Sequence, residues 1–322
     1  MFLKSTWPPP TRQYWETEYH LGLRLIHVEL HGEEPPIIEI PSDAKIMGKR
    51  LFPLLQVASV ASWRLGAYSP RQHLTIQLHD EDPGRHSLRY DAAINDTSVL
   101  LPDPYALGSQ GYLKIRKTLS QQPLPVWNER KSQAFWRGSS TSSKAITIHR
   151  MHKNRRINLC RLSRKMPKLL NCCLTDVVQC RDQNAKLEVS NSLKAEGLLS
   201  DRCGPMQFGL HKYLIEIDGN VNSWGLLWKL LTGSCILRVN SARRQWYHHK
   251  LKPYLHIIPV KEDFSDLNEQ LSWCHDHEEE CEEIGRQGKI LAEQVIEDLG
   301  PSVLKAIDAQ FMQVNVNGIT IL

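Results

Sequence analysis

The hydrophobic and polar positions in the first third of the chain predict a mixture of helices and strands. Apolar residues recur on most turns of a helix across residues 49–66, whereas residues 73–80 alternate apolar and polar side chains as a strand does. Residues 97–107 are typical of a strand interrupted by prolines. A stretch rich in Pro and Gln, from Leu119 to Gln133, then predicts a hinge or a domain boundary.

After this stretch, predicted strands and helices alternate along the chain. The predicted strands cover residues 133–138, 167–175, 213–218, 235–240 and 255–260, and the predicted helices cover residues 155–165, 223–231 and 265–300. Such an alternation predicts a parallel sheet with helices on both faces. In an open sheet of this kind, ligands bind beyond the carboxyl ends of the strands, where helix N-termini point.

The composition is that of a globular protein. The chain has 322 residues, of which 41% are hydrophobic and 23% charged, so we expect one large or two medium domains, with two favoured. The first 20 residues lack a signal-peptide core, and no run of about 18 apolar residues occurs. All eight cysteines lie between Cys160 and Cys281 without a CxxC pair, which is typical of reduced thiols. A cytoplasmic location is therefore expected.

Three corners beside predicted strands combine Gly with groups that bind phosphate. Residues 136–143 place an Arg and a Gly before a run of hydroxyls, residues 218–223 link a strand to a helix, and residues 232–235 place Gly and Ser before a strand. An Arg fork and the unpaired N–H groups of a helix N-terminus both suit phosphate, and Asn222 or Ser223 is a candidate helix cap. Each corner alone is also compatible with an ordinary turn, but together they favour a nucleotide or another phosphate ligand.

Several well-known site motifs are missing from the sequence. Neither a Walker loop nor a GxGxxG occurs, which argues against P-loop NTPases and ordinary dinucleotide dehydrogenases. Cys274, His277 and Cys281 would share one helix face, as metal ligands or as a half-buried helix stripe, the latter favoured because no fourth ligand is apparent. The run from His149 to Lys168 holds eight Lys or Arg and no acid. It fits a nucleic-acid face, a surface for anionic lipid or polysaccharide, or a solvated helix face.

Four blocks in the second half of the chain resemble glycosyltransferase family 90 in order, spacing and wording. They are residues 135–142, 155–170, 211–237 and 246–273. The family includes protein O-glucosyltransferases, fungal capsule xylosyltransferases and bacterial enzymes that modify lipopolysaccharide. The resemblance implies an α/β fold of GT-B architecture, in which two Rossmann-like domains face each other across a cleft.

The resemblance also implies a division of the chain and a reaction. An N-terminal acceptor-side domain is expected over residues 1–130, a nucleotide-sugar-binding domain over residues 131–300 and a C-terminal tail over residues 301–322. The implied reaction is an inverting, metal-independent transfer from a UDP-sugar to an acceptor hydroxyl, without a cofactor. Since no signal segment is seen, the expected acceptor is a lipopolysaccharide, glycan or lipid-linked intermediate, met by peripheral contact with the inner face of the cell membrane.

The family's motifs carry over onto residues of this chain. The expected catalytic base is Asp80, at the end of an early predicted strand, with Asp82 as the alternative, and Asp103 is expected to shape the acceptor side. The base would take the acceptor's proton, while the donor side would stabilise the departing diphosphate. The donor-binding residues expected from the resemblance, together with the hydroxyl of Thr141, are Arg137, Gly138, Ser139, Arg156, Lys212, Asp218, Gly219, Asn220, Ser223, Gly233 and Ser234.

One position departs from the family pattern. Many members have an Arg two residues after the Ser of the helix start, where it faces the diphosphate, and this chain has Gly225 there. An active enzyme would then rely on Arg137 and the helix start, with help from Lys229 or Lys212. The intact corner at residues 218–220 favours activity. The alternatives are a non-catalytic protein that binds sugar nucleotide or glycan and, from the basic run, a nucleic-acid-binding protein.

Overall fold

The structure consists of two compact units. The computed structural model describes residues 25–31, 34–40, 48–65, 72–80 and 87–318. The first unit comprises the described parts of residues 1–111, 243–248 and 296–322, and the second comprises residues 112–242 and 249–295.

Both units contain strands and helices. The described strands are β1 (Leu25–His31), β2 (Glu34–Glu39), β3 (Gln72–Gln77), β4 (Ser87–Leu88), β5 (Ala92–Ala93), β6 (Ala134–Ser139), β7 (Leu170–Asp176), β8 (Tyr213–Glu216), β9 (Cys235–Val239), β10 (Arg243–Arg244) and β11 (Ile258–Val260). The described α-helices are α1 (Gly48–Leu65), α2 (Pro104–Gly108), α3 (Leu113–Gln121), α4 (Arg155–Lys165), α5 (Gln183–Ala195), α6 (Pro205–Gly209), α7 (Leu226–Leu230), α8 (Leu267–Asp276), α9 (Glu278–Glu297) and α10 (Leu299–Gly318).

The first unit is built on a four-stranded sheet with the strand order β2-β1-β3-β4. β1 is antiparallel to β2 and β3, whereas β4 runs parallel to β3. This described sheet differs from the parallel, Rossmann-like arrangement that the resemblance implied for the N-terminal domain, and the GT-B cleft stays a prediction. The predicted helix over residues 49–66 is confirmed as α1, because Leu54, Val57 and Ala61 recur at helical spacing and form a buried face.

Residues 97–107 form no strand but end in the short helix α2. The Asp103 carboxylate accepts hydrogen bonds from the backbone N–H groups of Tyr105 and Ala106, both at 3.0 Å, and Pro104 occupies the first turn. An Asp cap followed by Pro at the first helical position is a strong signal for a helix start. The prediction of a strand over residues 97–107 is therefore wrong, and at its end the Asp103 cap starts a helix instead.

The second unit contains the predicted parallel sheet. Its five strands lie in the order β11-β9-β8-β6-β7, and each neighbouring pair is parallel. The strands contribute Trp136, Cys172, Ile215, Leu237 and Ile258 to one buried core. Parallel strands are usually covered on both faces and are therefore nearly continuous apolar runs. This property made the alternation of elements readable from the sequence.

The units divide the chain at residue 111, earlier than the predicted boundary. Helix α3 and the stretch rich in Pro and Gln belong to the second unit. Trp127 packs edge-on against Tyr213, with ring centroids 5.9 Å apart, and Arg130 donates a hydrogen bond to the backbone O of Thr232 at 3.2 Å. These contacts attach the predicted hinge to the body of the second unit.

The residues expected to form a C-terminal tail belong largely to helix α10. This helix begins at Leu299 and has Pro301 in its first turn, where a missing N–H costs little. The Arg64 guanidinium on α1 pairs with the Asp308 carboxylate at 3.1 Å, within the first unit. The prediction that the helical region ends at Gly300 is therefore wrong, because Pro is compatible with a helix start.

Candidate functional site

A single guanidinium joins the carboxyl ends of two neighbouring strands. Arg156 donates from Nη1 to the backbone O of Ser139 at 3.0 Å and to the hydroxyl of Thr141. It donates from Nε to the backbone O of Asp218 at 3.1 Å and from Nη2 to the backbone O of Ile217 at 3.0 Å. Because β6 and β8 are parallel neighbours, the loops that follow them meet here, and Arg156 braces them together.

The start of α4 positions Arg156. Asn154 caps this helix by accepting a hydrogen bond from the backbone N–H of Ile157 at 3.0 Å, and its amide donates to the backbone O of Ser140 at 2.7 Å. The buried Asn154 thus fixes the helix against the loop after β6. Sequence reasoning missed this residue, although an Asn directly before a predicted helix is a capping signal. Burial lowers the pKa of Arg156 to about 10, which leaves it protonated at neutral pH.

Gly219 is required by the close packing of this corner. A Cβ on residue 219 would lie 2.9 Å from Nη2 of Arg156 and would collide with the hydroxyl of Thr141. Any side chain at this position therefore displaces the Arg156 guanidinium from its hydrogen bonds to the loop after β8. The sequence identified Gly219 as a turn residue that allows backbone approach, and the structure adds the two side chains that occupy the space.

Replacing Gly219 by alanine is expected to weaken binding of the predicted uridine nucleotide donor at least about tenfold, because the Cβ pushes Arg156 and Thr141 out of their positions. The measurement is the dissociation constant for UDP by calorimetry. Gly204→Ala is the matched control, since a Cβ there meets no atom within 4 Å. Equal UDP affinity of the two variants would contradict this role of Gly219.

Asp218 closes the loop that follows β8. Its Oδ1 accepts a hydrogen bond from the backbone N–H of Ser223 at 2.9 Å, and burial raises the pKa of its carboxyl. Helix α7 begins only at Leu226, with Gly225 as the residue before it. The prediction that Asn222 or Ser223 caps this helix is therefore wrong, because the cap position is Gly225, two residues beyond Ser223.

Two lysines that the sequence suggested for the leaving-group charge are held by carboxylates. Lys229 Nζ lies 2.5 Å from Glu216 Oε2, and both side chains are buried. A Cβ on Gly225 would lie 3.5 Å from the same Nζ, so Lys229 occupies the space beside the missing side chain. Lys212 Nζ pairs with Glu278 at 2.7 Å. Each of these positive charges is therefore offset by a direct ion pair.

The structure separates most of the expected donor-binding residues into two groups, and Arg137 and Gly138 of β6 are described below. Lys212 directly precedes β8, and Gly233 and Ser234 directly precede β9, so these three lie at the amino edge of the parallel sheet. The amino edge and the carboxyl edge are separated by the length of a strand, which is roughly 13 Å for four residues at about 3.3 Å each. The group at the carboxyl edge consists of Ser139, Thr141, Arg156, Asp218, Gly219, Asn220 and Ser223.

The amino-edge residues have local structural roles. Gly233 has a φ of +68°, a conformation that favours glycine. The buried hydroxyl of Ser234 donates to the backbone O of His211 at 2.8 Å and accepts from Arg130 at 3.3 Å. Gly233 and Ser234 therefore have a structural role in the turn that leads into β9.

Arg137 lies against the neighbouring strand β7. Its guanidinium donates to the backbone O and to the side-chain Oδ1 of Asn171, both at 2.7 Å, and its Cζ lies 4.4 Å from the ring centroid of Phe135. A Cβ on Gly138 would lie 2.6 Å from the ring of Trp136, which explains that glycine by packing. Ligand binding by Arg137 and Gly138 stays a prediction.

In the first unit, Asp80 lies three residues after the end of β3 and is held by a neighbour on α1. Asp80 Oδ1 lies 2.7 Å from Nη1 of Arg50, and both side chains are mostly buried. The same guanidinium contacts the hydroxyls of Tyr90 and Tyr105, each at 3.4 Å. Burial raises the pKa of Tyr90, so that its hydroxyl stays protonated. The alternative base, Asp82, lies outside the described residues.

Asp103 is explained by helix capping. Its side chain is 1% exposed, and burial raises the pKa of its carboxyl from an ordinary value of 3.8 to about 6. The folded protein therefore binds more protons than the unfolded chain between these values, and it loses stability as the pH rises through them. An acceptor-side role of Asp103 stays a prediction.

Asp103→Asn is expected to raise the free energy of unfolding at pH 7 by about 1–3 kcal/mol, because Asn keeps the cap without a buried charge. The gain should shrink as the pH falls from 6 towards 4, where the native carboxyl is protonated. Urea unfolding at several pH values, followed by circular dichroism, measures this difference. Asp201→Asn, at an exposed carboxylate, is the control. A gain in Asp103→Asn that does not change with pH would contradict the burial argument.

No group of three or more His, Cys, Asp or Glu is placed to hold a metal ion in the described part of the chain. His277 donates from Nδ1 to the backbone O of Trp273 at 2.9 Å and stacks on that ring, with centroids 4.5 Å apart. Cys274 and Cys281 are buried. Cys274 lies on α8 and Cys281 on α9, and the chain leaves helical geometry at His277 between them, so the prediction that the three residues share one helix face is wrong.

The basic run is divided among different roles. Arg155 pairs with Glu262 at 2.8 Å and Arg161 pairs with Glu196 at 2.7 Å, whereas Arg156 forms the brace. These three arginines are therefore engaged within the second unit, whereas Arg150, Lys153, Arg164, Lys165 and Lys168 are exposed. The interpretations of the run as a nucleic-acid face, an anionic surface contact or a solvated helix face stay predictions.

Comparison with known proteins identifies one sequence family. Residues 110–298 match the sequence pattern of Glycosyl transferase family 90. Uncharacterized protein 179R of Invertebrate iridescent virus 6 is 41% identical over 26% of this chain and 8% of its own length. Protein O-glucosyltransferase 2 of Danio rerio is 27% identical over 52% of this chain and 30% of its own length. The chain thus spans less than a third of the length of these curated relatives.

The crystal structure of the Anabaena protein HepE in complex with UDP-glucose is similar with a TM-score of 0.40 and 10% identity. The similarity covers 61% of this chain and 53% of that chain.

Proposed function

This chain belongs to glycosyl transferase family 90, and on that premise we propose that it transfers a sugar from a UDP-sugar to an acceptor hydroxyl. The observation that carries the proposal is the family match over residues 110–298, which includes the whole of the second unit. The corner braced by Arg156 lies within this region, at the carboxyl edge of a parallel sheet. Ligands of α/β proteins bind at this edge.

The donor diphosphate is proposed to bind beside Gly219 and Asn220. Gly219 packs directly against Arg156 and Thr141, so the guanidinium and the loop after β8 lie side by side at this corner. Arg156 supplies the positive charge, since its hydrogen bonds go to neutral oxygens, whereas the ammonium of Lys229 is paired directly with Glu216. A guanidinium that is already held in place needs little reorganisation as negative charge grows on the leaving group.

Asp80 is proposed as the base of an inverting transfer. Its carboxylate takes the proton of the acceptor hydroxyl while that oxygen forms a bond to the anomeric carbon and the bond to the diphosphate oxygen breaks. UDP leaves with the electron pair, and the stereochemistry at the anomeric carbon inverts. Arg50 holds the carboxylate in one orientation, which is the contribution of α1 to this step.

The acceptor is proposed to be a glycan or a lipid-linked intermediate on the cytoplasmic side of a membrane. The net charge of +5 is compatible with peripheral attraction to anionic lipid. None of the described helices combines the length and the apolar character needed to cross a bilayer.

Ligand-dependent thermal unfolding tests the donor proposal. UDP and one UDP-sugar should raise the midpoint, GDP and CMP should not, and the shift should be smaller in Arg156→Met. Release of UDP from that UDP-sugar, measured with glycan acceptors, then reports transfer. A protein that no uridine nucleotide stabilises would contradict the proposal.

Metal independence is a separate expectation. Addition of EDTA should change the rate of transfer less than about twofold, because positive side chains replace a divalent ion at the diphosphate. The measurement is UDP release with and without EDTA and after addition of Mn²⁺. Strict dependence on Mn²⁺ would show that the leaving-group charge is stabilised by a metal instead.

A second candidate function is the binding of sugar nucleotides without transfer. The ion pair of Lys229 with Glu216 beside Gly225 favours this alternative, because the position that carries Arg in many members offers no uncompensated charge. Tight UDP binding together with no UDP release for any acceptor would support it.

A further inference from the structure

One buried tyrosine in the first unit connects the backbone before Asp80 with the guanidinium that holds the Asp80 carboxylate. Tyr90 is fully buried, and its hydroxyl lies 2.8 Å from the backbone O of His79 and 3.1 Å from that of Leu78. The single hydroxyl proton is therefore shared between these two carbonyls. The same hydroxyl accepts a hydrogen bond from Nη1 of Arg50 at 3.4 Å. One oxygen atom thus contacts both the segment that carries Asp80 and the partner of its carboxylate.

The strand register explains why Tyr90 reaches this point. β3 and β4 are parallel, with Ile76 level with Leu88, so Tyr90 comes beside the residues that follow β3. Its backbone N–H donates to Oε1 of Gln77 at 3.0 Å, and Nε2 of Gln77 donates to the backbone O of His79 at 2.9 Å. Gln77 is also fully buried. The end of β3 is therefore tied to the segment after β4 by two buried side chains.

These contacts fix the orientation of the peptide unit between His79 and Asp80. The backbone O of His79 accepts from Tyr90 at 2.8 Å and from Gln77 at 2.9 Å, so that both of its acceptor positions are used. Because a peptide unit is planar, a carbonyl O that is held in place also orients the N and Cα atoms of the next residue. The Asp80 carboxylate is thus positioned through its own backbone as well as through Arg50.

We propose that Tyr90 is a positioning residue for sugar transfer that acts through Asp80, a role that rests on the proposed function and deepens it. The base must lie within hydrogen-bond reach of the acceptor hydroxyl as the proton is transferred. Misplacement of a catalytic group by about 1 Å can lower a rate about 10²-fold. Burial raises the pKa of the Tyr90 hydroxyl, which keeps it protonated as a donor to the two carbonyls.

Tyr90→Phe tests this role, because it removes the hydroxyl and keeps the ring in the core. The rate constant of transfer should fall at least about tenfold. The dissociation constant for UDP should stay within about twofold of the wild type, since the proposed donor site lies in the second unit. The rate is measured as UDP release, with the UDP-sugar that stabilises the wild type and the glycan acceptor with which the wild type releases UDP.

Tyr213→Phe in the second unit is the matched control. Tyr213 is fully buried as well, and its hydroxyl donates to the backbone O of Cys274 at 2.8 Å. Both variants lose one buried hydrogen bond to backbone, so their thermal midpoints should fall by similar amounts. Only Tyr90→Phe should lose transfer rate.

A double variant distinguishes positioning of the base from a general loss of stability. In Asp80→Asn no carboxylate remains to be positioned, so the addition of Tyr90→Phe should lower the remaining rate less than about twofold. A further tenfold loss in the double variant, or equal rates in Tyr90→Phe and Tyr213→Phe, would overturn the role of Tyr90 while sugar transfer stands. A wild type that releases no UDP with any acceptor would instead overturn the proposed function, and this role with it.

Discussion

Asp80→Asn is expected to lower the rate constant of sugar transfer by about 10²–10⁴, because the amide cannot accept the acceptor's proton. The dissociation constant for UDP should stay within about twofold of the wild type, since the residues assigned to the diphosphate lie in the second unit. The measurement combines UDP release at saturating UDP-sugar with calorimetry for UDP. A large loss in rate with unchanged nucleotide binding identifies Asp80 as the base.

The controls for this variant address the Arg50 pair. Removing the charge of Asp80 leaves the mostly buried guanidinium of Arg50 without its partner, so the thermal midpoint of Asp80→Asn must be measured. Asp82→Asn examines the alternative base. A full loss of rate in Asp82→Asn together with an active Asp80→Asn would transfer the role to Asp82.

Arg156→Lys is expected to destabilise the protein by about 2–4 kcal/mol and to weaken UDP binding at least about tenfold. One ammonium cannot reach the two strand-end loops that the guanidinium joins through Ser139, Thr141, Ile217 and Asp218. Part-buried carbonyl groups are then left without a donor. Urea unfolding and UDP calorimetry measure the two effects.

The neighbouring residue provides the matched control. Arg155→Lys changes the same side chain one position earlier on α4, at a pair with Glu262 that is open to solvent. Its effect on the free energy of unfolding should stay within about 0.5 kcal/mol. If Arg156→Lys lost no more unfolding free energy and no more UDP affinity than Arg155→Lys, the hydrogen bonds of Arg156 would contribute neither to stability nor to binding.

Local patterns in the sequence were sufficient to predict the second unit. Its buried strands are short apolar runs between helical segments, and alternation of this kind has few solutions other than a parallel sheet. The family blocks lie in the same region and are confirmed by the match over residues 110–298. The first unit was less readable, because its sheet is mainly antiparallel and α2 begins at the Asp103 cap inside an apparent strand.

The structure brings only part of the expected donor-side residues together, and their role in binding stays a prediction. The residues at 218–220 and Arg156 were expected at the donor side, and the structure brings them together. Lys212, Gly233 and Ser234 were expected beside them, but they precede their strands and so lie at the opposite edge of the sheet. The sequence contained this signal, since a corner before a parallel strand and a corner after one cannot share an edge.

The sequence by itself determined the parallel sheet, the family and the residue types at the candidate donor site, because these depend on short-range periodicity and on motifs. Only the tertiary structure decided which partner lies beside each charged group. Arg156 meets neutral oxygens, whereas Lys229, Lys212 and Asp80 meet opposite charges from distant segments of the chain. Electrostatic interaction depends on distance in space and on burial, and neither of these follows from spacing along the chain.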